Sequence, residues 1–154
     1  MCSSDLVVVT SGAKQALFNA NFVLFGPGDE VLIGSPYWTS YPEIVTLARA
    51  TPVPVKGAEA RDFRLTPDDL ERARTPNTKG FLFSSPSNPT GGVYTKAELQ
   101  ALVEWCRDHD VWVIADEIYR SINFSDDKGT PAPGILDLDR KSTRLNSSHG
   151  YISY

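Results

Sequence analysis

Residues 80–117 read GFLFSSPSNPTGGVYTKAELQALVEWCRDHDVWVIADE, and their pattern predicts the architecture of the whole chain. The apolar run Gly80–Ser84 is followed by a loop rich in Pro and Gly, and then by a helical pattern that begins at Thr95. A second apolar run, Val111–Ala115, ends in two carboxylates, Asp116 and Glu117. Two nearly continuous apolar strands joined by a helix are typical of a parallel sheet that is covered on both faces.

Upstream of residue 80 the same alternation of strands and helices is visible. A helical pattern opens at Ser11 or Gly12, and Thr66 followed by Pro67 marks the start of another helix. Two prolines within a short strand near 53–55 place that strand at a sheet edge or end. The other expected segments are the β-branched run Val7–Thr10, a buried strand over Glu30–Gly34 and a helix over about Tyr41–Ala50. We therefore predict the α/β class, with three α/β/α layers and a mostly parallel sheet.

Composition limits the classes of function that remain. The chain has 154 residues, 41% of them hydrophobic, which is enough apolar material for a core. Its net charge is −4, so we expect neither a nucleic-acid partner nor an anionic membrane partner. No signal segment opens the chain, and Cys2 and Cys106 alone make no disulfide framework, which predicts a reducing, cytoplasmic location.

The two ends of the chain have an unusual relation to each other at the level of codons. Residues 1–6 read MCSSDL and residues 139–143 read DRKST, and one short DNA stretch encodes both when it is read on opposite strands. The stretch resembles a sequencing-library adapter. We therefore expect residues 1–6 and 139–154 to be adapter-derived and residues 7–138 to be native.

Two candidate ligand-binding features precede residue 40. Gly12, Ala13 and Lys14 set small residues and a positive charge at a helix N-terminus, where backbone N–H groups favour phosphate. Trp38 follows a strand in an irregular loop and is suited to stacking on a planar ligand. The alternatives are a plain helix N-terminus for the first feature and a core-covering aromatic for the second.

Three further candidates follow the strands in residues 80–117. Asn88 lies between two prolines that restrict its loop, so its amide is aimed and can donate to a ligand oxygen. Asp116 ends an apolar strand, where a cationic ring nitrogen is a suitable partner, and the hydroxyl of Tyr119 can reach the same crevice. A turn-forming Asn and a capping or ion-paired Asp are the alternatives. Glu117 is expected to face away from the crevice and to serve structure.

Four segments together resemble a known enzyme family. They are SGAKQAL (11–17), GDEVLIGSPYWTSYPE (28–43), SSPSNPTGGVYT (84–95) and VIADEIY (113–119). They are similar to the large domain of fold-type I pyridoxal-phosphate enzymes, and most of all to the class I/II aminotransferases of the aspartate-aminotransferase-like branch. The resemblance covers residues 7–125, so residues 7–138 are expected to be a central, partial piece of a cofactor-binding large domain.

The resemblance implies a role for each candidate in holding pyridoxal 5′-phosphate. Gly12, Ala13 and Lys14 would form the phosphate-holding turn, with Ala13 contributing its backbone N–H. Trp38 would stack on the pyridine ring and line the substrate site.

Three polar side chains would complete this implied site. Asn88 would bond the 3-oxygen of the ring and approach the substrate carboxylate. Asp116 would pair with the protonated pyridine nitrogen, and Tyr119 would bond the 3-oxygen from the other side. A carboxylate on that nitrogen keeps the ring protonated, which makes it the electron sink that transamination needs. No metal site is implied.

The resemblance also implies residues that this chain lacks. The lysine that forms a Schiff base with the cofactor would lie some thirty residues beyond Tyr119, past the adapter-like boundary at Asp139. Lys128 is too close to Tyr119 and is not assigned that role. No catalytic residue is therefore assigned, and we expect the chain alone not to turn over substrate. An intact parent is expected to be a homodimer.

The leading interpretation is an aminotransferase that exchanges an amino group between an amino acid and a 2-oxo acid. A pyridoxal-phosphate-dependent carbon–sulfur β-lyase shares the fold and the same polar residues. A non-catalytic, aminotransferase-like regulatory domain is the third reading. A dinucleotide-binding domain is disfavoured because no G-x-G-x-x-G follows a strand.

Overall fold

The computed structural model describes residues 8–124 and 129–138, together with the backbone of 151–152. The expected boundary residues 6 and 139, most of the two ends and Lys128 lie outside the described residues. The helices are α1 (Ala13–Leu24), α2 (Ser40–Leu47), α3 (Pro67–Ala73) and α4 (Lys96–Asp108), and the short 3-10 turns are Glu59–Arg61 and Ile135–Asp137. The strands are β1 (Glu30–Ser35), β2 (Thr51–Lys56), β3 (Thr78–Ser84), β4 (Trp112–Asp116) and β5 (Tyr151–Ile152).

The strands form one parallel sheet in the order β2-β1-β3-β4-β5. Pro52 and Pro54 lie in β2, which is an edge strand as predicted, because proline has no backbone N–H to donate to a neighbouring strand. In the register of β3 and β4, Ser84 lies opposite Asp116. The carboxyl ends of β3 and β4 therefore meet at the same edge of the sheet.

Alternate residues of each central strand face opposite layers of helices. In β3, Leu82 packs in a buried cluster that includes residues of α1 and α2, and Phe81 and Phe83 pack in a second cluster with α3 and α4. All three side chains are buried because both faces of the sheet are covered. The predicted three-layer α/β/α arrangement is confirmed.

Local signals set the helix boundaries. The hydroxyl of Thr66 accepts from the N–H of Asp69, and that of Thr95 accepts from the N–H of Glu98, so both helix starts carry the reciprocal capping box. Helix α2 ends before the predicted Ala50 because Arg49 adopts a positive φ of 66°.

The β-branched run at the start of the chain does not form a strand where it is described. Residues 8–10 are irregular, and the side chains of Val8 and Val9 are exposed. A β-branched sequence becomes a strand only when a neighbouring strand or a packed face accepts it, and no described strand pairs with residues 8–10.

Candidate functional site

Three of the predicted site residues follow neighbouring strands at the carboxyl edge of the sheet. Trp38 lies in the loop after β1, Asn88 in the loop after β3, and Asp116 is the last residue of β4. In parallel α/β sheets this edge is where ligands bind. The fold therefore places these three residues at one end of the sheet.

Asp116 is a buried carboxylate whose partners are all neutral. Only 5% of the residue is exposed. Its Oδ2 accepts from the hydroxyl of Tyr41 at 2.7 Å, and its Oδ1 accepts from the backbone N–H of Ile118 at 3.2 Å. None of the described lysines, arginines or histidines forms an ion pair with it. A buried negative charge without a counter-charge is costly, so this position favours a cationic partner.

Trp38 is joined to Asp116 through Tyr41. The rings of Trp38 and Tyr41 meet edge to face, with centroids 5.7 Å apart and planes at 90°. The indole also carries a cation on its face, because Lys14 Nζ lies 4.7 Å from the ring centroid. Lys14, Trp38, Tyr41 and Asp116 thus form one continuous series of contacts across α1, α2 and β4.

The role of Tyr41 is not predicted from the sequence, where this residue only marks the start of a helix. The signal that identifies it is its spacing, three residues after Trp38, which places both side chains on the same side of the turn that enters α2. Its partner Asp116 lies 75 residues further along the chain, so no local pattern indicates the hydrogen bond.

The start of α1 presents backbone donors. Gly12 adopts φ of 84°, a conformation that favours glycine, and no side chain caps the helix. The first N–H groups of a helix have no acceptor within it, and those of Ala13 and Lys14 bond to no described residue. These N–H groups suit an anion at the positive end of the helix dipole.

Asn88 and Tyr119 lie near this edge without contacting the residues above. The backbone N–H of Asn88 donates to Ser84 Oγ at 3.3 Å, and its side-chain amide bonds to no described residue. Tyr119 is 37% exposed, and its hydroxyl likewise has no partner among residues 8–124 and 129–138. The backbone N–H of Ser85 donates to the carbonyl of Asp116 at 3.1 Å, which ties the Asn88 loop to β4.

Residues expected to serve structure do so. Glu117 is buried, accepts from the N–H of Ile135 at 2.6 Å and lies 3.7 Å from Arg120. It therefore anchors the 129–138 segment. Trp105 packs within one core cluster, and Trp112 packs against the other.

The described part of the chain offers no alternative site of another kind. It contains no group of three or more His, Cys, Asp or Glu side chains that could hold a metal ion. None of its helices combines the length and the apolar character needed to cross a bilayer. A cleft beside the Asn88 loop includes Arg64, but that guanidinium is already paired with Asp62 and Glu98.

Together, the Asp116 carboxylate and the N–H groups at the start of α1 fit a planar cation that carries an anionic group, which is the chemistry of pyridoxal phosphate with a protonated ring. The carboxylate of Asp116, which has no counter-charge among the described residues, matches the ring nitrogen, and the N–H groups of Ala13 and Lys14, which bond to no described residue, match a phosphate. Trp38 supplies an aromatic surface beside them. The residues present therefore fit this cofactor.

Several aminotransferases are about half identical to this chain over most of its length. It is 51% identical over 136 residues to an aspartate/prephenate aminotransferase of Cereibacter sphaeroides, a match that covers 85% of this chain and 34% of the relative. It is 50% identical to an aspartate aminotransferase of Geobacillus stearothermophilus, over 77% of this chain and 30% of that protein. The chain thus spans about a third of the length of the curated relatives it matches.

Solved structures agree with the sequence comparison. An aspartate aminotransferase from Thermus thermophilus with maleate superposes with a TM-score of 0.74 at 44% identity, covering 77% of this chain and 31% of that one. An aromatic aminotransferase from Pyrococcus horikoshii gives a TM-score of 0.77 at 37% identity, covering 83% and 33%. These four relatives are all aminotransferases, which does not favour the lyase and regulatory readings.

The model of the family described as aminotransferase class I and II matches residues 2–146. The match includes residues 2–6 and 139–146 as well as the whole of 7–138. With the fold, the arrangement of Asp116, Trp38 and the start of α1, and the relatives in agreement, the chain belongs to the class I and II aminotransferase family.

Proposed function

We propose that this chain is part of an enzyme that moves an amino group from an amino acid to a 2-oxo acid with pyridoxal 5′-phosphate. The observation that carries the proposal is the buried carboxylate of Asp116 at the ligand-binding edge of the sheet, whose partners among the described residues are all neutral. Pyridoxal phosphate, when bound, supplies an electron sink for the electrons released at the substrate α-carbon.

The residues of this chain would divide the work of binding that cofactor. Asp116 holds the proton on the ring nitrogen, and Trp38 covers one face of the ring. Gly12, Ala13 and Lys14 form the turn that receives the phosphate, through the N–H groups of Ala13 and Lys14 at the start of α1.

The remaining candidates act on the ring oxygen and on the substrate. The amide of Asn88 and the hydroxyl of Tyr119, neither of which has a partner among the described residues, donate to the 3-oxygen of the ring. Asn88 and Trp38 also contact the substrate. Residues 7–138 are the proposed native part, and the codon relation between the two ends is its support.

Two further parts of the proposal concern the setting of the enzyme. A homodimer with amino-acid and 2-oxo-acid substrates is proposed from the family. A reducing, cytoplasmic location is supported by Cys106, which is a free, buried thiol.

A chimera tests the proposal. Residues 7–138 replace the equivalent segment of the Cereibacter sphaeroides relative, and amino transfer is measured with aspartate as donor. We expect turnover, and we expect Asp116→Ala to lower kcat/KM by about 10²–10³-fold, the range seen when a preorganised electrostatic contact is removed. The exposed Asp68 provides the control Asp68→Ala, which should leave turnover unchanged. Near-normal turnover of Asp116→Ala, or a folded chimera without transfer, contradicts the proposal.

A further inference from the structure

Tyr41 is a buried residue with two separate contacts toward the site. It is 1% exposed, at the start of α2. Its hydroxyl donates to Asp116 Oδ2 at 2.7 Å, and its ring meets that of Trp38 edge to face. One side chain thus touches both the carboxylate and the aromatic that the proposed function assigns to the cofactor ring.

We propose that Tyr41 is a positioning residue that fixes the Asp116 carboxylate and the Trp38 indole relative to each other, so that both meet one cofactor ring. The inference rests on the proposed function. Tyr41 is thereby added to the proposed site. It holds the two ring-contacting side chains, which come from distant parts of the sequence, in a fixed relative position.

The carboxylate of Asp116 is fixed at both oxygens. The N–H of Ile118 holds Oδ1 through a local turn, and Tyr41 holds Oδ2 from another element. With both oxygens bonded, rotation of the carboxylate plane is blocked, while each oxygen keeps a second lone pair for a ligand. Preorganised groups of this kind bind more tightly because less freedom is lost on binding.

Both hydrogen-bond donors to Asp116 are neutral, which leaves its negative charge in place. An arginine or lysine in place of Tyr41 would neutralise Asp116 and compete with a cationic ring nitrogen. A phenol orients the carboxylate and leaves its full charge available. The hydroxyl is not needed for packing, since phenylalanine would fill the same apolar volume among the residues around α2.

The test uses the 154-residue chain and pyridoxine 5′-phosphate, which has the ring and phosphate of the cofactor but no aldehyde to react with lysines. One readout is the dissociation constant from quenching of tryptophan fluorescence. The other is the pH at which the bound ring nitrogen loses its proton, followed by ultraviolet absorption. A merely structural role of Tyr41 would not move the second readout.

We expect Tyr41→Phe to weaken binding about tenfold, the worth of one hydrogen bond, and to lower the pH at which the bound ring deprotonates. Tyr37→Phe removes a hydroxyl from the same loop and should change neither readout. Incorporation of 4-aminophenylalanine at position 41 returns a hydrogen-bond donor to the same ring. It should restore both the dissociation constant and the pH of ring deprotonation, and it provides a second test if Tyr41→Phe folds poorly.

The outcomes separate the inference from the proposed function. If Asp116→Asn weakens binding and Tyr41→Phe behaves as wild type, the inference is overturned and the proposed function stands. If Asp116→Asn itself leaves binding and ring protonation unchanged, the proposed function fails and takes the inference with it. Loss in Tyr41→Phe without recovery in the 4-aminophenylalanine protein overturns the inference as well.

Discussion

Asp69 in α3 and Asp116 in β4 are equally buried, each with 5% of its surface exposed, yet their surroundings differ in charge. Asp69 pairs with Arg61, at 2.8 Å, and with Arg72, and it also accepts from Thr66 in the capping box. Asp116 has a phenol and a backbone N–H and no cation among the described residues.

The comparison extends to the two layers of helices. The α3 and α4 layer satisfies its charges internally, with Glu71 bonded to Arg74, Trp105 and His109 between the two helices. The α1 and α2 layer faces Asp116 and contains Asn21, whose buried Oδ1 accepts from none of the described residues. The α3 and α4 layer therefore contributes mainly to stability. The α1 and α2 layer has buried polar groups within it or facing it that lack a hydrogen-bond partner or a counter-charge among the described residues.

The largest expected effect on stability is at Asp69. Asp69→Ala removes the partner of both arginines and half of the capping box, and it should lower the free energy of unfolding by about 2 kcal/mol. Urea titration of the chain, followed by circular dichroism, measures the change. Its exposed neighbour Asp68 provides the control Asp68→Ala, for which we expect almost no change. Equal effects of the two substitutions would remove the contrast on which the comparison depends.

Acid sharpens the same contrast. Burial alone would raise the pKa of Asp69, but bonds from Thr66 and the charges of Arg61 and Arg72 hold that pKa below its usual 3.8. A depressed folded pKa adds stability that is complete above the unfolded value and is lost as pH falls through the folded one. We therefore expect the free energy of unfolding to decline below about pH 4. This loss on acidification should be smaller than the loss caused by Asp69→Ala, because a protonated carboxyl still accepts hydrogen bonds.

The measurement is the free energy of unfolding in urea between pH 5 and pH 2, compared in wild type and Asp69→Asn. Glu71, whose pKa is lowered from 4.5 to about 2 mainly by its hydrogen bond from Arg74, loses its own contribution over the same window, but it does so equally in both proteins and cancels from their difference. The difference between the two curves should therefore shrink as pH falls. A constant difference across the window would show that the charge of Asp69 contributes nothing.

Features that depend on residues close together in the sequence could be predicted from it, whereas contacts between distant residues could not. The capping boxes at Thr66 and Thr95 were predictable because they join residues three positions apart. The location of Asp116 was predictable because it ends an apolar run. Its lack of a counter-charge was not, since this depends on which side chains α2 brings to β4.

Lys14 shows the same limit. Its position at the start of α1 indicated a phosphate-binding charge, whereas its ammonium lies over the ring of Trp38. The orientation of a long, exposed side chain depends on which surface the rest of the fold places beside it. Sequence patterns at helical spacing carry no information about such a contact between α1 and the loop after β1.

A smaller effect is expected at Asn21, in the layer that faces Asp116. Asn21→Leu keeps the branching of the side chain and removes the unsatisfied Oδ1, so it should raise the free energy of unfolding by about 1 kcal/mol. The lost bond from Nδ2 to the carbonyl of Leu17 is not essential, because the helix already pairs that carbonyl. Asn19 is exposed, and Asn19→Leu should give no such gain in the same urea titration. A destabilised Asn21→Leu would mean that Oδ1 has a partner in solution.

The smallest effect on stability is expected at Asp116 itself, and it separates the two carboxylates most clearly. In Asp116→Asn the amide oxygen can accept from Ile118, and the hydroxyl of Tyr41 can turn from donor to acceptor toward the amide nitrogen. Both bonds survive and a buried charge is removed, so unfolding should change by less than about 0.5 kcal/mol or become slightly harder.

In Asp69→Asn one of the two arginine hydrogen bonds is lost, because Arg61 and Arg72 only donate and cannot bond to an amide nitrogen. Parallel urea titrations of Asp69→Asn and Asp116→Asn should therefore show a loss only in the first. A comparable loss in Asp116→Asn would mean that the charge of Asp116 stabilises the fold. The presence of a buried carboxylate at this position would then be explained without a ligand. A residue whose charge can be removed without loss of stability, at the edge where ligands bind, is retained for what it binds.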